Sequence, residues 1–498
     1  MRPSSLINGS NPREADALLS FKHGIGNYSE GALDDWTPGK RSEYCSWTGV
    51  TCNRQQHVTA LSLSSLDLTG SLGPSLGSLS YLEELHLDEN SLQSEIPPEL
   101  GRLSRLRILN LEENWLYGSI PKELGNLTSL QVLNLGSQGS WFNGTIPEEL
   151  GQLSELRFLN LGAVQNWVAE KVDWMTARNK LRGTIPRSLG NCTKLWYLDF
   201  YGNDHLTGVI PKELGKLIHL KYLSFQQNNF TGAVPHQLGN LTRCEYLFFR
   251  NNSLQGLLPV GLANLSRLLA LDVAYNYFTG NLVHDVLHIN LANNKLTGSI
   301  PQQLGNLTKI RLLSLHTNNL TGEIPPDLGK LQTLEILYLF NNNLIGSIPA
   351  TLTNCSALRF MRLSYNSLRG HLAHTNFAGL ENLRILALNG NQFSGLFPVT
   401  LWNCSNLGWL DLSRNHLSGV LPQFDVLNAQ LDQPQSQRGD LSGLELLNLA
   451  SNFFIGFIPS SIWKLPALQV LDLSSNKFIR CIASRSLRIG DVQATRRE

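Results

Sequence analysis

Histidine and cysteine are the side chains of this sequence whose spacing could bind a metal ion or support catalysis. The chain has twelve histidines, and only two pairs lie close together, His284 with His288 and His371 with His374. Neither pair has a carboxylate or a cysteine at the spacing of metal ligands. The sequence also contains no phosphate-binding glycine-rich loop, nucleophile turn or protein kinase signature. The pattern predicts a protein that is not an enzyme and has neither a metal site nor a cofactor.

The seven cysteines are an odd number, so at least one of them stays unpaired within the chain. Cys45 and Cys52 stand close together in YCSWTGVTCN, and the other five are scattered. Four of these five recur in equivalent contexts such as GNCTKL and TNCSAL, where we expect a small buried apolar side chain. These four are Cys192, Cys244, Cys355 and Cys404, and the fifth is Cys481.

The elements that carry these side chains follow a repeat, which is clearest between residues 287 and 357. Three similar segments there place Leu291, Leu315 and Leu339 at intervals of 24 residues. A fixed period in this range marks a solenoid, and L-x-x-L-x-L-x-x-N-x-L is the leucine-rich repeat. Because one coil cannot bury its own leucines, neighbouring coils must stack. We therefore predict an α/β repeat solenoid, a right-handed leucine-rich repeat superhelix whose short strands form a concave parallel β-sheet.

From Val58 onward we count about 17 coils of 24 residues. In most coils an asparagine follows the first strand leucine by five residues, and its amide is expected to bond backbone groups of its own and the next coil. Losing such an amide would leave buried polar groups unpaired, at a cost of roughly 1–3 kcal/mol. The asparagines in this position include Asn90, Asn114, Asn228, Asn252, Asn276, Asn294, Asn318, Asn342, Asn366, Asn391, Asn415, Asn452 and Asn476.

The remainder of each coil reads L-x-G-x-I-P-x-x-L-G-x-L, as it does from Leu320 through Pro325 to Leu331. This phrase resembles the plant-type leucine-rich repeats of receptor-like proteins, receptor-like kinases and secreted polygalacturonase inhibitors. Residues 14–57, with a helical segment, Trp36, Trp47 and the close cysteine pair, resemble the N-terminal cap of those proteins. The resemblance implies a Cys45–Cys52 disulfide and therefore an oxidising, extracellular compartment.

Interruptions of the period suggest the domain organisation. The stretch 163–177 is an insertion of 15 residues, either a surface loop or an unspliced segment, because its removal restores the repeat. We expect an unstructured leader at 1–13, a cap at 14–57, the solenoid at 58–476 with a polar loop at 423–443, and an irregular tail at 477–498. The start lacks the apolar core of a secretory signal, no apolar run is long enough to span a membrane, and no polar cap closes the last coil. We therefore interpret the chain as an ectodomain cut short or mis-predicted at its C-terminus.

The pattern N-x-S/T is frequent and supports an extracellular or cell-surface location if the asparagines carry glycans. The candidate acceptors are Asn8, Asn27, Asn126, Asn143, Asn191, Asn229, Asn240, Asn251, Asn264, Asn306, Asn319, Asn354 and Asn403.

The outward-facing strand residues are the candidate binding site, because strand side chains alternate between the core and the open face. Early coils carry acids on this face, and later coils carry aromatic and arginine side chains, which are enriched at interaction hot spots. The predicted ligand-binding residues are Tyr197, Asp199, Tyr201, Tyr222, Gln226, Tyr246, Phe248, Arg250, Asp272, Tyr275, Tyr338, Phe340, Arg362 and Tyr365. Some similar peptide receptors bind the terminal carboxylate of their ligand with two arginines spaced R-x-R on a strand. In this sequence Arg250 and Arg362 are single arginines and do not form such a pair.

A net charge of +1 gives no electrostatic basis for binding nucleic acid. The function we expect is that of a receptor-type ectodomain that binds a peptide or protein on its concave face for signalling in development or defence. By resemblance, a co-receptor with leucine-rich repeats would pair near the C-terminal coils. The alternatives are a secreted inhibitor of a cell-wall-degrading hydrolase, whose relatives usually have about ten coils and a closing cap, and an incomplete gene product.

Overall fold

The computed structural model describes residues 12–139, 142–163, 179–280, 288–424 and 441–479. The chain divides into two compact units, Met1–Leu268 and Leu269–Glu498. Most of residues 163–177, residues 425–440 of the predicted loop, Cys481 and Asn8 lie outside the described residues, as does most of the predicted leader and tail.

The first unit begins with the cap. Its α-helix spans Pro12–Gly24, so it starts inside the predicted leader, with a proline in the first turn where a missing N–H costs nothing. The buried Glu14 carboxylate accepts a hydrogen bond of 2.8 Å from the Val58 backbone N–H, which joins the cap to the first coil. The cap also contains a 3₁₀-helix, Pro38–Ser46, and the Cys45–Cys52 disulfide that the resemblance implied.

The coils of the first unit each contribute one short strand to a main sheet. The first strand, Val50–Cys52, belongs to the cap and pairs antiparallel with Val58–Ser62, and the later strands pair parallel. The main strands after these two are Glu84–His86, Ile108–Asn110, Val132–Asn134, Phe158–Asn160, Tyr197–Asp199, Tyr222–Ser224 and Tyr246–Phe248. Short lateral strands follow at Thr69–Gly70, Ser91–Leu92, Arg182–Gly183, His205–Gly208, Asn229–Gly232 and Ser253–Leu257.

The second unit repeats this arrangement. Its main strands are Ala270–Asp272, His288–Asn290, Leu312–Ser314, Ile336–Tyr338, Phe360–Arg362, Ile385–Ala387, Trp409–Asp411, Leu446–Asn448 and Val470–Asp472. Its lateral strands are Tyr277–Thr279, Arg369–His371, Gln392–Gly395, His416–Val420, Phe453–Gly456 and Lys477–Phe478. The last of these pairs with Phe453–Gly456, so the regular structure extends two residues into the predicted irregular tail. Leu313 and Leu337 are partners in adjacent parallel strands, and both are fully buried in one core, as the 24-residue period predicts.

A 3₁₀-helix of about five residues closes most coils opposite the strand. In the first unit these helices are Pro74–Ser78, Pro98–Arg102, Lys122–Asn126, Glu148–Gln152, Arg187–Asn191, Lys212–Lys216, His236–Asn240 and Val260–Asn264. In the second unit they are Gln302–Asn306, Pro326–Lys330, Ala350–Asn354, Leu372–His374, Phe377–Gly379, Val399–Asn403 and Ser460–Lys464. Coils touch closely here, because a Cβ on Gly101 would lie 2.4 Å from the Glu123 carbonyl oxygen of the next coil. This contact explains the glycine in the repeat.

The repeat asparagines form the predicted polar ladder, but each one bonds its own and the preceding coil, whereas the sequence led us to expect the next coil. The Asn318 amide donates to the carbonyl oxygens of Leu291, Leu315 and His316 at 3.0–3.2 Å. Its oxygen accepts a bond of 3.1 Å from the Leu296 N–H. Each amide therefore satisfies buried backbone groups of two coils at once. Beyond the insertion, Asn179 takes the same place, since its amide donates to the Leu135 and Leu161 carbonyl oxygens.

The four cysteines at repeat positions, Cys192, Cys244, Cys355 and Cys404, are unpaired and buried, which confirms their predicted role as small apolar side chains. Burial raises the pKa of the Cys192 and Cys355 thiols to about 11 and of the other two to about 12. These thiols therefore stay protonated at neutral pH, and a thiolate nucleophile is not available at these positions.

Candidate functional site

The open face of each main sheet carries the candidate site, and we call it the sheet face. It consists of the strand side chains that alternate with the buried leucines. Strand register aligns these side chains from coil to coil, since Tyr197 is the partner of Phe158 on one side and of Tyr222 on the other. Tyr222 is in turn the partner of Tyr246. Parallel strands lie about 4.8 Å apart, so aligned aromatic rings must stack.

Five aromatic side chains form what we call the aromatic column: Phe158, Tyr197, Tyr222, Tyr246 and Phe248. The ring centroids of Phe158 and Tyr197 are 4.3 Å apart, and those of Tyr197 and Tyr222 are 4.4 Å apart, with nearly parallel planes. Tyr246 lies 6.2 Å from Tyr222, and Phe248 packs edge-on against Tyr222 at 5.7 Å. Phe158 was missing from the predicted site although it occupies the same coil position as Tyr197, which was the available signal.

Asp199 lies beneath this column and is 2% exposed. The Tyr197 hydroxyl donates to one carboxylate oxygen at 3.1 Å, and the Tyr201 N–H donates to the other at 2.9 Å. Burial raises the pKa of Asp199 to about 6, and the hydrogen bonds it accepts oppose this rise. Burial and the neighbouring carboxylate also raise the pKa of Tyr197 and of Tyr222 above the ordinary value of 10.0. Both tyrosines therefore remain hydrogen-bond donors.

Exposure divides the predicted residues of the first unit into two groups. Tyr201 is 8% exposed, Phe248 4% and Gln226 8%, so these side chains lie within the packed layer together with Asp199. Tyr197, Tyr222, Tyr246 and Arg250 are half-buried and present surface to solvent. The buried group is suited to support the rings, and the half-buried group is suited to contact a ligand.

The second unit has its own aromatic group on the sheet face. His316 stacks on Phe340 with ring centroids 4.1 Å apart, and the Arg362 guanidinium lies 5.4 Å from the centroid of the Tyr338 ring. Cation–π contact of this kind holds the arginine in place over the ring. His316 was absent from the predicted site, although it precedes Phe340 by one repeat.

Two further predicted tyrosines of the second unit, Tyr275 and Tyr365, lie in the turn after a strand, with positive φ angles of 56° and 52°. They are 45% and 49% exposed. Asp272, also predicted, is half-buried on the sheet face and accepts a bond of 2.9 Å from the Ala274 N–H.

The coils before the aromatic column carry the expected acids. Glu112 accepts hydrogen bonds from the amides of Asn134 at 2.8 Å and Asn160 at 3.0 Å. Burial raises the pKa of Glu112, and it also raises the pKa of Glu113, with the nearby Glu89 and Asp88 charges adding to the effect on Glu113. Among the described residues, no group of three His, Cys, Asp or Glu side chains is placed to hold a metal ion. Within the same ranges, no helix has both the length and the apolar character needed to cross a membrane.

The candidate glycan acceptors from Asn27 to Asn403 that the structure describes are all exposed. Seven of them are the last residue of a 3₁₀-helix and thus occupy one equivalent place in their coils: Asn126, Asn191, Asn240, Asn264, Asn306, Asn354 and Asn403. This place lies in the 3₁₀-helix of the coil and outside its sheet strand.

Comparison with known proteins gives consistent matches along the chain. A leucine-rich repeat region matches residues 51–211, a leucine rich repeat N-terminal domain matches 11–53, and further leucine rich repeats match 219–241, 285–307, 309–331, 333–355, 370–417 and 432–478. A probable inactive leucine-rich repeat receptor-like protein kinase of Arabidopsis thaliana is 45% identical over 74 residues, which is 15% of this chain and 11% of that protein.

Two solved structures extend the similarity over most of the chain. A crystal structure of a TDR receptor is 30% identical, with a TM-score of 0.72, over 84% of this chain and 68% of that one. The Arabidopsis receptor kinase HAESA, in complex with the peptide hormone IDA and the co-receptor SERK1, is 28% identical, with a TM-score of 0.57, over 94% of this chain and 90% of that one. The chain therefore belongs to the plant-type leucine-rich repeat family of receptor-like proteins and receptor-like kinase ectodomains.

Proposed function

We propose that this chain is a receptor-type ectodomain that binds a peptide or protein on its sheet face and takes part in signalling without catalysing a reaction. The observation that carries this proposal is the aromatic column, in which Tyr197, Tyr222 and Tyr246 are half-buried rings aligned across successive coils. Aligned, partly exposed aromatic rings provide apolar contact area at low entropic cost and tyrosine hydroxyls for hydrogen bonding. An extended segment lying along the coils would contact all three.

The relatives support the same function. HAESA binds a peptide hormone together with a co-receptor, and another similar structure is the plant peptide hormone receptor RGFR1 in complex with RGF2. We extend this by analogy to a peptide ligand and to a leucine-rich repeat co-receptor that contacts the C-terminal coils. The cap disulfide and the exposed glycan acceptors support an extracellular location. We also propose that the cap ends at residue 57 and that the solenoid begins at residue 58.

The test compares ring removal on and off the sheet face. Tyr222→Ala and Tyr246→Ala remove half-buried rings of the column, whereas Tyr117→Ala removes a ring that is 46% exposed outside the main strands and serves as the matched control. Tyr201 and Phe248 are less suitable sites, because truncating buried rings also destabilises the fold.

The purified chain would be used to capture peptides from a plant extracellular fraction, and the dissociation constant of each captured peptide would be measured for the three variants by calorimetry. We expect Tyr222→Ala and Tyr246→Ala to bind at least about tenfold more weakly than the control Tyr117→Ala, since each aromatic contact at a hot spot is worth about 1.4 kcal/mol or more. Equal affinities in all three variants would contradict the proposal.

A further inference from the structure

A depression of about 590 Å³ lies beside the aromatic column in the first unit, and none of its lining residues belongs to the predicted site. It is lined by Arg157, Lys194, Trp196, His219, Lys221 and Arg243. We call it the basic pocket. Its lining has four cations, one histidine, one tryptophan and no carboxylate.

Two rows of side chains from four neighbouring coils build the basic pocket. The first row consists of residues that immediately precede main strands, and it contributes Arg157, Trp196 and Lys221. Backbone hydrogen bonds join them, from the Trp196 N–H to the Arg157 carbonyl at 2.9 Å and from the Lys221 N–H to the Trp196 carbonyl at 2.8 Å. The second row lies two residues earlier in each coil and contributes Lys194, His219 and Arg243. The ladder therefore fixes the spacing of the backbone positions from which these side chains extend.

The charge balance leaves positive charge at the basic pocket. Lys194 bonds the Glu155 carboxylate at 2.6 Å, and Lys221 lies 3.4 Å from Glu245, but neither acid lines the pocket. Within the described part of the chain, Arg157 has no ion-pair partner. Arg243 donates to the Nδ1 atom of His219 at 2.9 Å and, among the described residues, forms no ion pair with a carboxylate. A neutral His219 ring then carries its proton on Nε2, which is one more donor.

The pocket adjoins the aromatic column through Trp196, which is 43% exposed. Its ring centroid lies 5.8 Å from that of Phe158 and 5.8 Å from that of Tyr197. A segment that leaves the sheet face at this edge would therefore pass over an exposed indole and reach the cations.

We propose that the basic pocket binds an acidic segment of a polypeptide, with carboxylates held by Arg157, Arg243 and the two lysines. Cations spread over four coils cover about 14 Å at about 4.8 Å per coil, which is beyond the reach of one small anion. Five extended residues span a similar length, so several carboxylates of one segment can be bound together. The inference rests on the proposed function, because the segment would belong to the peptide or protein partner.

The test uses an acetylated and amidated Glu-Gly-Glu-Gly-Glu peptide as the probe, with the full chain in 20 mM salt and calorimetry as the measurement. The matched control is the double variant Arg105→Gln, Arg107→Gln, because these two arginines occupy the same two row positions in an earlier coil, outside the pocket. We expect wild type and this control to bind the probe equally, and Arg157→Gln, Arg243→Gln to bind at least about tenfold more weakly, because charge-assisted hydrogen bonds are lost. Higher salt should weaken wild-type binding.

Three outcomes would overturn the proposal: no binding by wild type, equal binding by the pocket variant, or equal binding of a Gln-Gly-Gln-Gly-Gln peptide. Displacement of the probe by inorganic sulfate at an equal concentration would also overturn it, because it would show a site for simple anions. The failure of this proposal is distinguishable from failure of the proposed function, since Tyr246→Ala tests only the aromatic column. If the chain binds captured peptides through Tyr246 but does not bind the acidic probe, the proposed receptor function stands and the proposal for the basic pocket is wrong.

Discussion

Replacing Asp199 with asparagine tests the buried polar centre beneath the aromatic column. The pKa of Asp199 is raised from 3.8 to about 6, mainly by burial. Because the folded pKa lies above the unfolded one, the folded state binds the proton more tightly. The stability that Asp199 contributes is therefore fully present below about pH 3.8 and is lost as the pH rises through about 6.

The size of this effect follows from the two pKa values. The difference of about 2 pKa units at about 1.4 kcal/mol per unit amounts to about 3 kcal/mol between pH 3.5 and pH 7.5. An asparagine side chain at this position would not ionise, and its oxygen can still accept the bond from the Tyr201 N–H. Asp199→Asn should thus gain up to about 3 kcal/mol over wild type as the pH rises across this window.

The assay is urea unfolding of wild type and Asp199→Asn at several pH values, together with hydrogen exchange of the Tyr201 amide, which reports local opening. Asp472→Asn is the matched control, because Asp472 occupies the same coil position and accepts the equivalent bond from the Ser474 N–H in a half-exposed setting. The quantity to follow is the free energy of unfolding of Asp199→Asn minus that of wild type. If this quantity stays constant with pH, or falls as the pH rises, the reasoning is refuted.

Two further predictions concern the contacts between coils. Asn318→Ala should lower the free energy of unfolding by about 1–3 kcal/mol, because it leaves buried backbone groups of two coils unpaired. Asn319→Ala, at the neighbouring exposed position, should change it little, and similar urea midpoints for the two variants would be inconsistent with the polar ladder. Gly101→Ala should destabilise the chain by about 1–3 kcal/mol through the clash with the Glu123 carbonyl. Gly39→Ala should be tolerated, because a Cβ added there meets nothing within 4 Å. Thermal unfolding checks both variants, and a tolerated Gly101→Ala would show that the coils can separate at this point without cost.

The repeat itself could be predicted from the sequence. Periodic leucines require stacked coils, and the positions of Leu313 and Leu337 in adjacent strands follow from the period alone. The polar ladder and the buried cysteines were predictable for the same reason, since a residue at a given coil position meets an equivalent environment in every coil. The cap disulfide came from the resemblance, and the structure contains it.

Contacts across coils required the structure. The sequence predicts that Tyr201, Phe248 and Asp199 face away from the core, but their burial depends on rings contributed by neighbouring coils. Phe158 and His316 were missed because each gains its importance from a stacking partner one coil away.

The sequence by itself therefore determined the coil, its core and its hydrogen-bonded ladder, because those features depend on the residue type at each repeat position. The tertiary structure decided which sheet-face side chains remain exposed and where the cations of the basic pocket gather. The physical reason is that exposure and local charge are properties of several coils together, and stacking brings residues 157 and 243 to the edge of one pocket although 86 positions separate them in the chain.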